Sequence, residues 1–296
     1  MSRQRDALAV EVDGSTITGI SAGPTAKTGK PLVVALHGGT YTARYFDVAG
    51  SCEGSFMDIA GAHRYPVVAF DRPGYGGSTP LKPADNTFAR HAELLGAAIA
   101  QARSRYRAEH VFLVGHSIGG MIALMIAASR PDFPLIGVSA TGMGAVIPPG
   151  GAAEALASLP PDETVDLPYD ERDRVMFGPV GTYREESLRQ AHGSYAPVPV
   201  RELVQAPAWP GEHLPTVAPR VRVPVHNALA EFDALWDSGP ANVARFAAMF
   251  TAAPFVDAGV ARRTGHCIDH HSAGYALHLR QLAFAEDCAA WAGDEH

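Results

Sequence analysis

The stretch Gly115-His116-Ser117-Ile118-Gly119 constrains this chain more than any other. It follows the apolar run Val111-Phe112-Leu113-Val114 and precedes a helical run from Met121 to Ala128. That order reads as a strand, a sharp turn carrying a serine, and a helix. Glycine has no Cβ, so two of them let the turn tighten until the Ser117 side chain projects above the strand end, beside the backbone N–H of Ile118. A serine held there is a nucleophile in need of a base. The bland alternative is a Gly-rich turn whose serine only caps the helix.

Around this motif the chain alternates apolar strands with helices. Leu8 to Val12 and Ser15 to Ile20 flank Asp13-Gly14, a hairpin signal. Leu32 to Leu36 and Pro66 to Phe70 read as buried strands, and a helix capped by Asn86 or Thr87 runs to about Arg107. Strands follow at Leu135 to Ala140, Val223 to Leu229 and Phe255 to Val260, with a helix near Pro240 to Phe250 between the last two. A final helix from about Ala273 to Trp291 puts Leu277, Phe284, Cys288 and Trp291 on one stripe. Such alternation predicts an α/β fold with a mostly parallel sheet covered by helices on both faces.

Residues 143–222 break the rhythm. They hold 12 of the 23 prolines and no clean buried strand, but include helix-length polar stretches such as Thr182 to His192. An insertion of this length is expected to be a mainly helical cap over a site, with Pro-rich hinges. The predicted division is a core of residues 1–142 and 223–296 and a cap of 143–222. Met143, Met176, Phe177, Tyr183, Tyr195 and Trp209 could line a pocket or build the cap's own core.

A serine hydroxyl is a poor nucleophile at neutral pH and needs an imidazole base held in one tautomer by a carboxylate. Among 13 histidines, His266 stands out, because Arg263-Thr264-Gly265-His266 lies between the last strand and the last helix. The acid should follow the preceding strand, where Asp233 is favoured and Glu231 is the alternative. An oxyanion needs two N–H donors. Ile118 is one, and Gly39 in the loop His37-Gly38-Gly39-Thr40 is the expected other.

Taken in chain order, His37-Gly38-Gly39, Asp71-Arg72-Pro73-Gly74-Tyr75-Gly76-Gly77-Ser78, Gly115-His116-Ser117-Ile118-Gly119-Gly120, Asp233 and Gly265-His266 resemble the α/β-hydrolase superfamily over nearly the whole chain. The resemblance implies a serine hydrolase that cleaves a small or medium-sized carboxylic ester or thioester through an acyl-enzyme, with no cofactor and no metal. In that superfamily the Asp-Arg-Pro-Gly stretch shapes a loop near the pocket floor. Haloalkane dehalogenases and epoxide hydrolases of the same superfamily use an aspartate at the elbow, where this chain has serine. The same triad also serves C–C bond hydrolysis, lyase and acyl-transfer chemistry, and a ligand-binding member without turnover is a third reading.

One departure follows the presumed base. Cys267-Ile268-Asp269-His270-His271 stands where relatives more often show apolar residues and an acid. Asp269 is expected to cap or charge the last helix, with the histidines facing solvent or pocket. A net charge of −7 without a basic stripe argues against nucleic acid as a partner. Three cysteines and a polar start, Met1 to Asp6, lead to the expectation of a cytoplasmic protein without disulfides, acting on a small acyl substrate and not on a membrane. A homodimer is left open.

Overall fold

The computed structural model describes residues 5–25, 27–148 and 160–294. β1 (Asp6–Val12) and β2 (Ser15–Ala22) form the expected hairpin, with Asp13 and Gly14 both at positive φ in the turn. β3 (Leu32–Leu36), α1 (Phe56–Ala62), β4 (Val67–Phe70), α2 (Phe88–Tyr106), β5 (Val111–His116), α3 (Ile118–Ser129) and β6 (Leu135–Thr141) follow. The hydroxyl of Thr87 accepts from the Arg90 N–H and caps α2, whose Leu95, Ala98, Ile99, Ala102 and Tyr106 are buried. After the insertion come β9 (Val225–Ala230), α8 (Pro240–Ala248), β10 (Val256–Ala261) and α9 (Gly274–Asp294).

Eight strands join in the order β1-β2-β4-β3-β5-β6-β9-β10. β2 is antiparallel to β1 and to β4, and every pairing from β4 across to β10 is parallel. Strand alternation decides what each helix covers. Val34, Leu36, Val68, Phe70 and Leu113 face α2, α3 and Phe246 of α8, while Val33, Ala35, Val67, Ala69, Phe112 and Val114 face α1 and α9. Five consecutive buried residues in β3 are the sequence signature of this two-sided covering. In α9, Leu277, Phe284 and Cys288 are buried, and Trp291 only half so, because it lies near the helix end.

Parallel strands end on one rim. The chain leaves β3 toward β4 on one side and returns to β5 on the other, so a crevice opens between the C-terminal ends of β3 and β5. Gly39 follows β3, Ser117 follows β5, Asp233 follows β9 and His266 follows β10. Topology alone therefore brings all four to one edge.

Within the insertion, residues 149–159 lie outside the described residues. The remainder carries β7 (Thr164–Val165), α4 (Tyr169–Met176), α5 (Glu185–His192), β8 (Val198–Pro199), α6 (Val200–Glu212) and α7 (Leu214–Val217). It is tied to the loop after β3 by Thr42 N–H to Ser194 O and Ala196 N–H to Thr40 O, each 2.9 Å. Met143 and Trp209 are fully buried in the main core cluster, and Met176 and Phe177 are buried in the second, with Phe177 against Tyr183, His270 and His271. Tyr183 and Tyr195 are half-buried. No described helix is long and apolar enough to cross a membrane.

Candidate active site

The turn at Ser117 is built by close approach. A Cβ on Gly115 would strike the carbonyl of Gly119, and one on Gly119 would strike the carbonyl of Leu36. Glycine at both positions lets α3 start directly against β5 and β3. Ser117 itself sits at φ 53° and ψ −122°, a region L-residues rarely adopt. Its N–H donates to Thr141 O at 2.7 Å, and its carbonyl accepts from Gly120 and Met121, so β6 and α3 hold the strained residue. Its neighbours His116 and Ile118 are buried, while Ser117 is only half-buried. No side-chain cap bond is made by Ser117, which removes the bland reading of the motif.

His266 meets Asp233 through Nδ1, at 3.0 and 3.1 Å from the two carboxylate oxygens. Both side chains are almost completely buried. The Asp233 carboxylate is aimed by a local turn, accepting from the Leu235 and Trp236 N–H groups at 2.9 and 3.1 Å. A carboxylate on Nδ1 puts the proton of a neutral imidazole there and leaves the lone pair on Nε2. That Nε2 is buried and has no hydrogen-bond partner among the described residues. The His266 ring lies 5.0 Å from that of His116, the residue before Ser117. No hydrogen bond joins His266 to Ser117; in enzymes at rest such bonds commonly tighten only with substrate. Glu231, the alternative acid, points elsewhere and accepts from Arg263 N–H at 2.8 Å and Arg262 Nη1 at 3.3 Å.

The loop after β3 closes on the same turn. A Cβ on Gly38 would lie 3.0 Å from Ser117 Cβ, and one on Gly39 would lie 3.1 Å from Ile118 Cδ1. Among the described residues the N–H groups of Gly39 and Ile118 have no hydrogen-bond acceptor. Two unpaired donors thus border the serine, as an oxyanion requires.

The segment after His266 differs from expectation. Asp269 does not cap the last helix: it is buried, accepts from the Tyr45 hydroxyl at 2.8 Å and pairs with His278 Nε2 at 3.1 Å. Burial works to raise its pKa, but His278 and the neighbouring His116 and His270 hold it well below the usual carboxylate range. Nor do His270 and His271 face solvent; both are fully buried. His270 Nε2 donates to Tyr45 O at 3.0 Å. His271 Nε2 accepts from the Gly178 and Gly265 N–H groups at 3.0 and 2.9 Å, while Nδ1 donates to Cys267 O. Burial lowers each ring to about 4, so both are neutral bolts that anchor the His266 loop. A local capping rule fails for Asp269 because its partners come from the loop after β3 and from α9. Cys267 is likewise buried, and burial pushes its thiol well up.

Sequence reasoning missed a buried ion pair between Arg72 and Glu202, with Arg72 Nη2 2.8 Å from Glu202 Oε2. Arg72 stood in the quoted Asp-Arg-Pro-Gly stretch, but nothing near Glu202 in the chain marked it as its partner. Tyr45 was missed as well: it stacks on His116 at 4.6 Å and reaches Asp269.

Comparison with known proteins agrees with the fold. The model of the alpha/beta hydrolase family matches residues 33–279. A curated relative, Epoxide hydrolase B of Mycobacterium tuberculosis, is 33% identical over 141 residues, which is 46% of this chain and 36% of that protein. The match thus spans little more than a third of the relative's length. Among solved structures, an esterase from Thermogutta terrifontis superposes with a TM-score of 0.67 at 16% identity, covering 97% of this chain and 99% of that one. The thioesterase domain from the curacin biosynthetic pathway gives 0.65 at 18% identity, over 95% of this chain and 100% of that one. At such identities the likeness is one of fold.

Proposed function

The chain belongs to the alpha/beta hydrolase family, and on that premise we propose that it is a serine hydrolase cleaving a small or medium-sized carboxylic ester or thioester. Ser117 Oγ attacks the acyl carbon, and His266 Nε2 takes its proton. Asp233 holds the ring and stabilises the imidazolium that forms. The N–H groups of Gly39 and Ile118 stabilise the tetrahedral oxyanion. The imidazolium then protonates the leaving group, and water activated by the same nitrogen releases the acid from the acyl-enzyme. Residues 143–222 act as the cap that selects the acyl group.

One observation carries this reading. A serine in a strained turn shares a strand rim with a histidine whose ring lies 5.0 Å from His116, whose Nδ1 is bound to a buried carboxylate and whose Nε2 is free of partners among the described residues.

The name of the curated relative raises a second reading, epoxide opening. Serine argues against it. Attack by a hydroxyl on an epoxide leaves an alkyl ether, which water does not cleave under mild conditions, whereas attack by a carboxylate leaves a hydrolysable ester. C–C bond cleavage and acyl transfer keep the same serine and differ only in the pocket.

A fluorophosphonate probe tests the nucleophile. Ser117 is expected to label and Ser117→Ala to lose both labelling and turnover of nitrophenyl esters; well-folded protein that fails to label would sink the reading. Adding acyl-thioester and β-diketone substrates to the panel separates hydrolysis of esters from C–C cleavage.

A further inference from the structure

The oxyanion peptide has an anchor of its own, and it lies partly in the inserted segment. The C=O of Gly38 and the N–H of Gly39 belong to one trans peptide and point in opposite directions, so whatever fixes the oxygen aims the donor. Two groups hold that oxygen: His37 Nδ1 at 2.8 Å and Arg72 Nη2 at 3.1 Å. Arg72 Nε also donates to His37 O at 3.0 Å, and the Arg72 N–H donates to His37 Nε2 at 3.1 Å. The guanidinium therefore grips both carbonyls that precede Gly39. Donors on a carbonyl also polarise the amide, which strengthens the N–H at its other end.

The guanidinium is fully buried, and a buried cation needs a partner. Glu202 on α6 supplies it from 2.8 Å, and Tyr75 OH donates to the same carboxylate oxygen at 2.9 Å. Tyr75 further lies under the guanidinium, 4.5 Å from ring centre to Cζ. On the other side His91 Nδ1 accepts from Arg72 Nη1 at 3.2 Å, its own Nε2–H being directed to Asn86. Of these partners only Glu202 comes from the insertion.

We propose that Arg72 is the positioning residue of the oxyanion peptide, and that Glu202 is the counter-ion through which docking of α6 completes the oxyanion site. This rests on the serine-hydrolase reading above. Loss of the Glu202 charge leaves Arg72 buried and uncompensated, and the Gly38–Gly39 peptide loses its fixed direction. Transition-state stabilisation suffers, whereas binding of the uncharged substrate carbonyl does not.

The test is Glu202→Gln in the full chain, with p-nitrophenyl butyrate as substrate. Removing an oxyanion donor outright costs about 10²–10³ in kcat, so misaligning one is expected to cost about thirtyfold, with KM changed by under about threefold. A trifluoromethyl ketone, which forms an oxyanion on the serine, should lose affinity in proportion. Active sites are counted by exhaustive fluorophosphonate labelling. A fall in the number of labelled sites with unaltered ketone affinity per site would mean a merely structural role and overturn the proposal, as would unchanged kcat. Should Glu202→Gln fail to fold, Tyr75→Phe removes one donor from the same carboxylate; parallel losses of a few-fold in kcat and ketone affinity support the proposal, and no change overturns it. Wild-type protein that neither labels nor turns over ester refutes the hydrolase reading itself, and this proposal with it.

Discussion

Two buried aspartate–histidine pairs lie in this fold, and only one of them has its histidine on the strand rim that carries the serine. Asp233 meets His266 at 3.0 Å, and Asp269 meets His278 at 3.1 Å, with all four side chains buried. Both rings keep a second nitrogen without a partner among the described residues. What differs is the neighbourhood. Asp233 is aimed by backbone N–H groups in a loop beyond β9, and His266 leans on His116 beside the elbow. Asp269 is held by Tyr45, and His278 rises from α9 against Phe56. A short Asp–His bond is thus no signature of a general base. The far nitrogen must also face a reacting group, and the sheet topology brings His266, but not His278 on α9, to the strand rim that carries Ser117.

The largest effects should separate the two pairs. Ser117→Ala and His266→Ala are expected to remove nearly all ester turnover, and Asp233→Asn to lower kcat by about 10³–10⁴. Asp269→Asn should change kcat by under about threefold, and Glu231→Gln by less still. A loss in Asp269→Asn as deep as that in Asp233→Asn, at unchanged stability, would break the distinction.

Stability should show the reverse order. Asp269 pairs with two buried partners, so Asp269→Asn is expected to cost about 2–4 kcal/mol in denaturant unfolding. Its acid form is resisted in the folded state, and this contribution persists above the usual carboxylate pKa and is lost only as the solution becomes strongly acidic.

A third measurement concerns three buried histidines, two of which anchor the His266 loop. Burial lowers His226, His270 and His271 to about 4. A histidine with a depressed folded pKa contributes fully above the unfolded value of 6.5, and the contribution falls as the unfolded chain takes up protons below it. Unfolding free energy should therefore drop between pH 6.5 and 4, by at most about 1.4 kcal/mol per pH unit for each ring. His271→Gln should make that slope shallower by about one proton. A slope that stays as steep would show that His271 is not neutral in the fold.

The smallest effect sharpens the edge of the reactive region. Cys267 is the residue after the proposed base, yet burial pushes its thiol well up, and Cys288 is pushed up to about 12. A disulfide reagent should find Cys52 alone in native protein and all three thiols after unfolding. Rapid native labelling of Cys267 would mean that the loop beside His266 opens.

Much of this was legible in the chain. Each core strand shows as an apolar run because both of its faces are covered, and the turn at Ser117 shows because only glycine fits at 115 and 119. The expectation for the segment after His266 failed where local rules were applied to groups with distant partners. Asp269, at a helix start, looked like a cap. Its actual partner Tyr45 is 224 positions away. Nothing in the proline-rich insertion marks Glu202, yet it is fully buried.

The sequence by itself determined the alternation of strands and helices and the strained elbow, since these follow from periodicity and from steric demands over a few residues, while the family rests on the likeness of its motifs in chain order. Only the tertiary structure decided which carboxylate meets His266, which pair stays inside the scaffold and what holds the Gly38–Gly39 peptide. Those outcomes depend on side chains brought together from separate strand ends and from α6. Their energies depend on burial, which no local stretch of sequence records.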